Sequence, residues 1–150
     1  LGAVYGGLSR RDDVGDSIRT AIAIEPLAQR RGRFADLGRL RVQEGERVEA
    51  LRTGLAKCGA AVRERGDTLE ISPGELRGAT IETHDDHRIA MCFATLGLKV
   101  PGIRIKNPSC VRKTFPTFFQ KLATPTPLGL GATLLDGQGI PLEPDQLAAE

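Results

Sequence analysis

The residues best suited to chemistry stand at the start of one strongly apolar segment. Asp86, His87 and Arg88 directly precede the run Ile-Ala-Met-Cys-Phe-Ala. Asp is a favoured N-cap residue, because its carboxylate accepts hydrogen bonds from the free backbone N–H groups of a first helical turn. A helix beginning here would point those N–H groups and the Arg88 cation at one spot, which favours an anion site. A capped core helix with Arg88 reaching solvent explains this segment alone equally well.

A second chemically promising segment lies further along the chain, between Asn107 and Leu122. It begins Asn-Pro-Ser-Cys-Val-Arg-Lys-Thr-Phe-Pro and continues Thr-Phe-Phe-Gln-Lys-Leu. Together with Asp-His-Arg-Ile-Ala-Met at 86–91, it closely resembles the C-terminal part of the 3-phosphoshikimate 1-carboxyvinyltransferase (5-enolpyruvylshikimate-3-phosphate synthase) family. The two motifs occur in the family's order and at its spacing. The resemblance covers residues from about Asp16 to Leu122.

This resemblance implies a group-transfer reaction. The family transfers the enolpyruvyl group of phosphoenolpyruvate to the 5-hydroxyl of shikimate 3-phosphate and releases phosphate. The residues that match its phosphoenolpyruvate ligands are Arg47, Arg88 and Lys113. Arginine suits that task because its planar fork binds oxyanions bidentately, and lysine adds a compact charge. The resemblance implies no cofactor and no metal ion, and the spacing of His84, Asp85, Asp86 and His87 matches no standard metal site.

Two carboxylates match the family's proton-transfer residues. Asp16 aligns with the base that takes the proton of the attacking hydroxyl, and Glu44 aligns with a proton shuttle to carbon. His87 is expected to be a nearby hydrogen-bonding partner rather than the main acid. An ordinary helix N-cap is the alternative role for Asp16, and an exposed ion pair with Arg47 is the alternative for Glu44.

Two positions depart from the family pattern. Gln43 stands where the family has a lysine, and Arg39 stands where it has an asparagine. In the resembled family, both residues contact shikimate 3-phosphate, so Gln43 is a substrate-binding candidate. Its side chain, however, carries no charge and donates no acid proton. A degenerate, non-catalytic relative that binds small phosphorylated acids is therefore one alternative. An enolpyruvyl transferase acting on UDP-N-acetylglucosamine is another, against which the two long motifs argue.

Composition limits the classes of partner. The chain has 150 residues, 40% of them hydrophobic and 27% charged, which is enough for one core. A formal net charge of +2 gives no reason to expect nucleic acid or a membrane as partner. Cys58, Cys92 and Cys110 lack the close spacing of a disulfide framework or zinc site. Reduced thiols and a cytoplasmic location are expected.

Helical and strand patterns alternate along the chain, which predicts a mixed α/β (α+β) domain. Helices are predicted over 17–24, 44–58 and the segment that Pro116 opens, strands over 33–36, 79–83 and 100–106, and a hairpin over 61–71. Pro26 and Gly59 are expected to end the first two helices. In the resembled family, each domain is an inside-out α/β barrel made of three repeated units. We therefore expect part of such a domain, built of repeated β-α-β units.

The domain boundaries follow from the same comparison. Residues 1–122 are expected to be the C-terminal portion of an enolpyruvate transferase domain. Residues 123–150, punctuated by proline and glycine, are expected to form a loosely ordered tail with a strand candidate at 132–135. Because the family's enzymes are longer, we expect a C-terminal piece or truncated relative. Such a chain lacks the family's N-terminal domain and should have negligible turnover alone.

Overall fold

Helices pack on two small sheets, which confirms the predicted mixed α/β class. The computed structural model describes residues 7–14, 17–28 and 30–148, and the side chains of Val14 and of residues 39–46 lie outside that description. The strands are β1 (Leu8–Ser9), β2 (Gly32–Ala35), β3 (Ala61–Arg65), β4 (Thr68–Ser72), β5 (Thr80–Ile81) and β6 (Arg104–Ile105). The α-helices are α1 (Ile18–Ile24), α2 (Gly38–Lys57), α3 (His87–Gly97) and α4 (Phe118–Ala123).

The larger sheet has the strand order β1-β2-β4-β3 and carries the main core on one face. β1 pairs with β2 in parallel, and β4 runs antiparallel to both β2 and β3. The predicted hairpin is confirmed, with Ala61 opposite Ser72. Phe34, Leu69 and Ile71 point into the core. There they belong to one cluster with residues of α1, α2 and α3.

Helix α2 begins earlier than the sequence pattern predicts. The sequence pattern predicts this helix over 44–58, yet it already starts at Gly38. Leu37 is fully buried, and its backbone N–H donates to the carbonyl of Asp67 in the hairpin turn at 2.9 Å. This anchor fixes the chain immediately before the helix. The predicted stop at Gly59 is confirmed by the paired hydrogen bonds of a Schellman motif, Ala60 N–H to Leu55 O and Gly59 N–H to Ala56 O.

The smaller sheet consists of two parallel strands, β5 and β6, with Thr80 opposite Arg104. Both strands are shorter than predicted, and a turn with φ of 83° at Gly102 separates Val100 from β6. Just before β5, a Cβ atom added to Gly78 would lie 2.4 Å from the carbonyl carbon of Gly102. The two backbones therefore touch where the strands begin. Because the strands are parallel, their carboxyl ends meet at the same edge.

Helix α3 connects the two hydrophobic clusters. Its residues Ile89, Phe93 and Leu96 are fully buried in the main core. Ala90 belongs instead to a second cluster with Cys110, Val111, Phe119 and Leu122. The helix begins after the predicted N-cap, Asp86, and is buried as its apolar sequence predicts.

The last part of the chain covers the second cluster. A 3₁₀-helix over Pro108–Lys113 precedes α4, and another follows over Pro144–Leu147. Ala132, Leu134 and Leu147 pack against this cluster, and the Ala132 N–H donates to Leu122 O at 2.8 Å. The strand candidate at 132–135 is reduced to one bridge between Leu135 and Pro141. The predicted looseness of residues 123–150 concerns mobility and stays a prediction.

Candidate anion-binding site

Two loops leave the same edge of the β5–β6 sheet and lie side by side. One runs from β5 to α3 and contains His84, Asp85 and Asp86, whereas the other runs from β6 to the 3₁₀-helix at 108–113. The Thr83 hydroxyl donates to the carbonyl of Lys106 at 2.9 Å. The Asn107 side-chain amide donates to Asp85 Oδ1 at 3.2 Å. These bonds fix the two loops against each other.

Backbone turns in both loops aim their polar side chains. His84, Asp85 and Asn107 have φ values of 51°, 57° and 50°, in the left-handed region. Asp and Asn tolerate this region better than most residues, and such conformations concentrate at functional sites. The turn lets Asp85 face the second loop while Asp86 stays at the start of α3.

Asp86 joins helices α2 and α3. Its Oδ1 accepts a hydrogen bond from the Arg88 N–H at 2.8 Å, and its Oδ2 forms an ion pair with Nε of Arg47. The Asp86 side chain is only 7% exposed and that of Arg47 is 29% exposed. The start of α3 and the guanidinium of α2 therefore share one carboxylate.

A close contact further along the two helices supports this arrangement. A Cβ atom on Gly54 of α2 would lie 2.3 Å from Cζ of Phe93 in α3. The interval from Arg47 to Gly54 equals that from Asp86 to Phe93, so both contacts advance in the same direction along the helices. The glycine lets α2 approach α3 closely enough for Arg47 to reach Asp86.

Asp85 forms an ion pair with a cation of the second motif, Lys113. The Lys113 ammonium lies 2.6 Å from Asp85 Oδ2, and both side chains are more than half exposed. The hydrogen bond from Lys113 holds the pKa of the Asp85 carboxyl below its usual value. The neighbouring carboxylates of Asp85 and Asp86 thus bind groups from three elements. These groups are Arg47 of α2, the Arg88 backbone N–H of α3 and Lys113 of the 3₁₀-helix.

His87 occupies the first turn of α3 among these charges. Burial lowers the pKa of its imidazole below the usual value, because it disfavours the charged form. Asp86 opposes this shift, whereas the positive charges of Arg88, Arg47 and Lys113 add to it. Near neutral pH, the ring is therefore mainly uncharged and able to donate one hydrogen bond.

The sequence-predicted residues divide into two groups. Arg47, His87, Arg88 and Lys113 come together around the start of α3. Asp16 lies outside the described residues, and the side chains of Gln43 and Glu44 do too, although both residues belong to α2. Their proposed roles stay predictions.

Sequence reasoning missed the structural part played by Asp85 and Asn107. The available signal was a second carboxylate beside the N-cap, in a chain whose later motif carries Arg112 and Lys113. Among the residues that the structure describes, no group of three or more His, Cys, Asp or Glu is arranged to hold a metal ion. Within the same residues, no helix has the length and apolar character needed to cross a membrane.

Comparisons with known proteins agree with the sequence motifs. Residues 12–122 match the sequence model of the family described as EPSP synthase (3-phosphoshikimate 1-carboxyvinyltransferase). The relative from Nostoc punctiforme is 44% identical over 110 residues, covering 73% of this chain and 26% of its own length. The one from Pseudomonas syringae pv. syringae is 43% identical over 115 residues, covering 73% of this chain and 28% of its own length. Both are named 3-phosphoshikimate 1-carboxyvinyltransferase.

The fold agrees as well. A solved EPSP synthase from Acinetobacter baumannii aligns with a TM-score of 0.65 and 31% identity, covering 72% of this chain and 26% of that one. The chain thus has part of the fold of that enzyme and spans about a quarter of the length of its curated relatives. Residues 123–150 lie beyond the family match.

Proposed function

Because this chain belongs to the EPSP synthase (3-phosphoshikimate 1-carboxyvinyltransferase) family, we propose that it supplies the phosphoenolpyruvate-binding part of such an enzyme. The reaction is transfer of the enolpyruvyl group from phosphoenolpyruvate to the 5-hydroxyl of shikimate 3-phosphate, a step in aromatic biosynthesis. The observation that carries the proposal is the convergence of the Arg47 guanidinium, the Arg88 backbone N–H and the Lys113 ammonium on the Asp85–Asp86 pair.

The chemistry of phosphoenolpyruvate fits these groups. It carries a carboxylate and a phosphate on three carbons, so a site for it needs several cations within a small volume. Arg47 and Arg88 offer two guanidinium forks, and Lys113 offers an ammonium. Backbone N–H groups at the start of α3 add positive potential, because that helix end carries partial positive charge. His87 donates a hydrogen bond to the bound anion in this proposal.

Catalysis adds two carboxylates. Asp16 takes the proton of the 5-hydroxyl, whose oxygen bonds to the central carbon of phosphoenolpyruvate, while Glu44 delivers a proton to the methylene carbon. The resulting tetrahedral intermediate loses phosphate as the methyl group gives a proton back, which restores the double bond. Gln43 faces shikimate 3-phosphate in this scheme, where the family's lysine would stand.

The remaining groups come from the rest of a two-domain enzyme in this proposal. The chain spans 26% of its Nostoc punctiforme relative, so a complete cleft needs the family's N-terminal domain as a partner. The proposal includes a cytoplasmic location and negligible turnover by the 150-residue chain alone. Product formation by that chain at the rate of full-length relatives would contradict the last point.

Calorimetric titration with phosphoenolpyruvate tests the binding site. Arg88→Ala should weaken binding at least about tenfold, because a charge-assisted hydrogen bond to an anion is worth about 1.5–3 kcal/mol. Arg63→Ala is the matched control, since Arg63 is an exposed arginine on strand β3, outside the site. Equal affinity in the Arg88 and Arg63 variants would refute the assignment of Arg88. Circular dichroism spectra establish that each variant is folded.

A second candidate is a relative that binds small phosphorylated acids without catalysis, and the neutral side chain of Gln43 favours it. The chain can be mixed with the N-terminal domain of a family enzyme and assayed for phosphate release from the two substrates. If the chain is part of a working enzyme, phosphate release should be measurable and should increase in Gln43→Lys. Phosphoenolpyruvate binding without release in either form would favour the non-catalytic candidate.

A further inference from the structure

Two neighbouring carboxylates at the anion site are used differently. Asp86 is buried, caps α3 and pairs with Arg47, so it belongs to the framework of the site. The Asp85 side chain is 60% exposed and lies 2.6 Å from the Lys113 ammonium. We propose that Asp85 is a built-in competitor for Lys113, which a phosphate or carboxylate group of the ligand must displace. This inference rests on the proposed phosphoenolpyruvate site and identifies a further residue that sets its affinity.

Chemical equivalence supports the competition. A carboxylate oxygen and a phosphate oxygen make the same charge-assisted hydrogen bond to an ammonium group. Asp85 Oδ2 therefore occupies a position on Lys113 that an oxygen of the ligand would take. The other oxygen, Oδ1, accepts from Asn107 at 3.2 Å, so Asp85 keeps one partner after Lys113 leaves. Lys113 can change partners without leaving a buried charge uncompensated, because its side chain is 54% exposed.

The backbone around Asp85 indicates that its direction is set by the loops. Asp85 and its partner Asn107 both have left-handed φ values, and they lie on the two loops that leave the β5–β6 edge. These turns hold the carboxylate against Lys113. The carboxyl stays ionised at neutral pH, since the hydrogen bond from Lys113 keeps its pKa below the usual value.

The exposure of the pair determines the size of the effect. Ion pairs in solvent are weak, so Asp85 should reduce the affinity for an anion by about two- to fivefold rather than prevent binding. Asp85→Asn should therefore bind phosphoenolpyruvate about two- to fivefold more tightly than the unchanged chain. Asparagine keeps the side-chain shape and tolerates the left-handed backbone. Asp85→Gly removes the carboxylate by a second route that also tolerates this φ.

The control is another acid on the same loop. Glu82 is exposed and pairs with Lys106, so Glu82→Gln removes the same charge from a similar ion pair without touching Lys113. Lys113→Gln, alone and combined with Asp85→Asn, completes a double-mutant cycle. All forms are titrated calorimetrically with phosphoenolpyruvate at low salt, and circular dichroism compares their folding.

The expected result is a gain in affinity for both Asp85 variants, no comparable gain for Glu82→Gln, and no gain from Asp85→Asn when Lys113 is already Gln. An unchanged or weaker affinity in both Asp85 variants refutes the proposal that Asp85 competes for Lys113, but it does not refute the proposed anion site. An equal gain in Glu82→Gln, or one that persists without Lys113, overturns it too, because the effect would then be a general one of net charge. Absence of binding in every form, including Asp85→Asn, refutes the proposed anion site, and the competition with it.

Discussion

Replacing Asp86 separates the two tasks that its carboxylate performs. Oδ1 caps helix α3 by accepting from the Arg88 N–H at 2.8 Å, and Oδ2 pairs with Arg47. Asp86→Asn keeps an oxygen in the capping position and removes the charge that faces Arg47. Asp86→Ala removes both. The difference between the two variants therefore measures the cap, and the effect of the first measures the ion pair.

The structure bounds both contributions. Exposed ion pairs contribute up to about 1 kcal/mol, whereas removing one partner of a fully buried pair costs about 3–5 kcal/mol. Because Asp86 is 7% exposed and Arg47 is 29% exposed, we expect Asp86→Asn to cost an intermediate amount, about 1–3 kcal/mol. Loss of the N-cap should add about 1 kcal/mol in Asp86→Ala.

Urea unfolding followed by circular dichroism measures these free energies. Asp145→Asn is the control, since it removes an exposed aspartate from the 3₁₀-helix near the end of the chain. Its free energy of unfolding should stay within about 0.5 kcal/mol of the unchanged chain. Equal stability of Asp86→Ala and Asp86→Asn would refute the capping role. A cost in Asp86→Asn no larger than that of the control would refute the contribution of the Arg47 pair.

Two further predictions concern the contact between α2 and α3 and the charge of His87. Gly54→Ala should lower the free energy of unfolding by about 2 kcal/mol, because overpacking against buried Phe93 at 2.3 Å costs about 3 kcal/mol and helix propensity returns about 1. Gly97→Ala, whose Cβ would lie an ordinary 3.6 Å from Ile103, should leave stability unchanged or raise it, and equal urea midpoints for the two variants would contradict this packing argument. Because the pKa of His87 is lowered in the folded chain, the unfolded chain binds its proton first, so stability should fall as the pH decreases from about 6.5 through the folded-state pKa. His87→Gln should show a smaller loss of stability than the unchanged chain in urea unfolding between about pH 7.5 and pH 5.5, and an identical pH dependence would count against the burial of the imidazole.

Much of the local structure could be predicted because short-range rules determine it. The N-cap at Asp86, the hairpin around Gly66 and the stop at Gly59 each depend on residues within a few positions of one another. The grouping of Arg47, Arg88 and Lys113 was predicted from long motifs at family spacing rather than from any physical pattern in the chain. In the sequence, each of these cations taken alone is typical of an ordinary surface charge.

Features that depend on distant contacts were harder to predict. The early start of α2 follows from Leu37, whose N–H donates to the hairpin turn across the fold. The pairing of Asp85 with Lys113 follows from two loops that meet only because β5 and β6 are parallel neighbours. No periodicity in the sequence encodes either contact, since each joins segments far apart in the chain.

The touching backbones of Gly78 and Gly102 restrict which residues position 78 can accept during evolution. These glycines lie just before β5 and β6, whereas the loop with Asp85 and the 3₁₀-helix with Lys113 follow the strands. A side chain at position 78 would spread the two strands at their origin and so alter the distance between carboxylate and ammonium. Selection on the proposed anion site would therefore also act on position 78, although this position lies outside the site. A glycine outside the proposed site would thus be constrained together with the residues inside it.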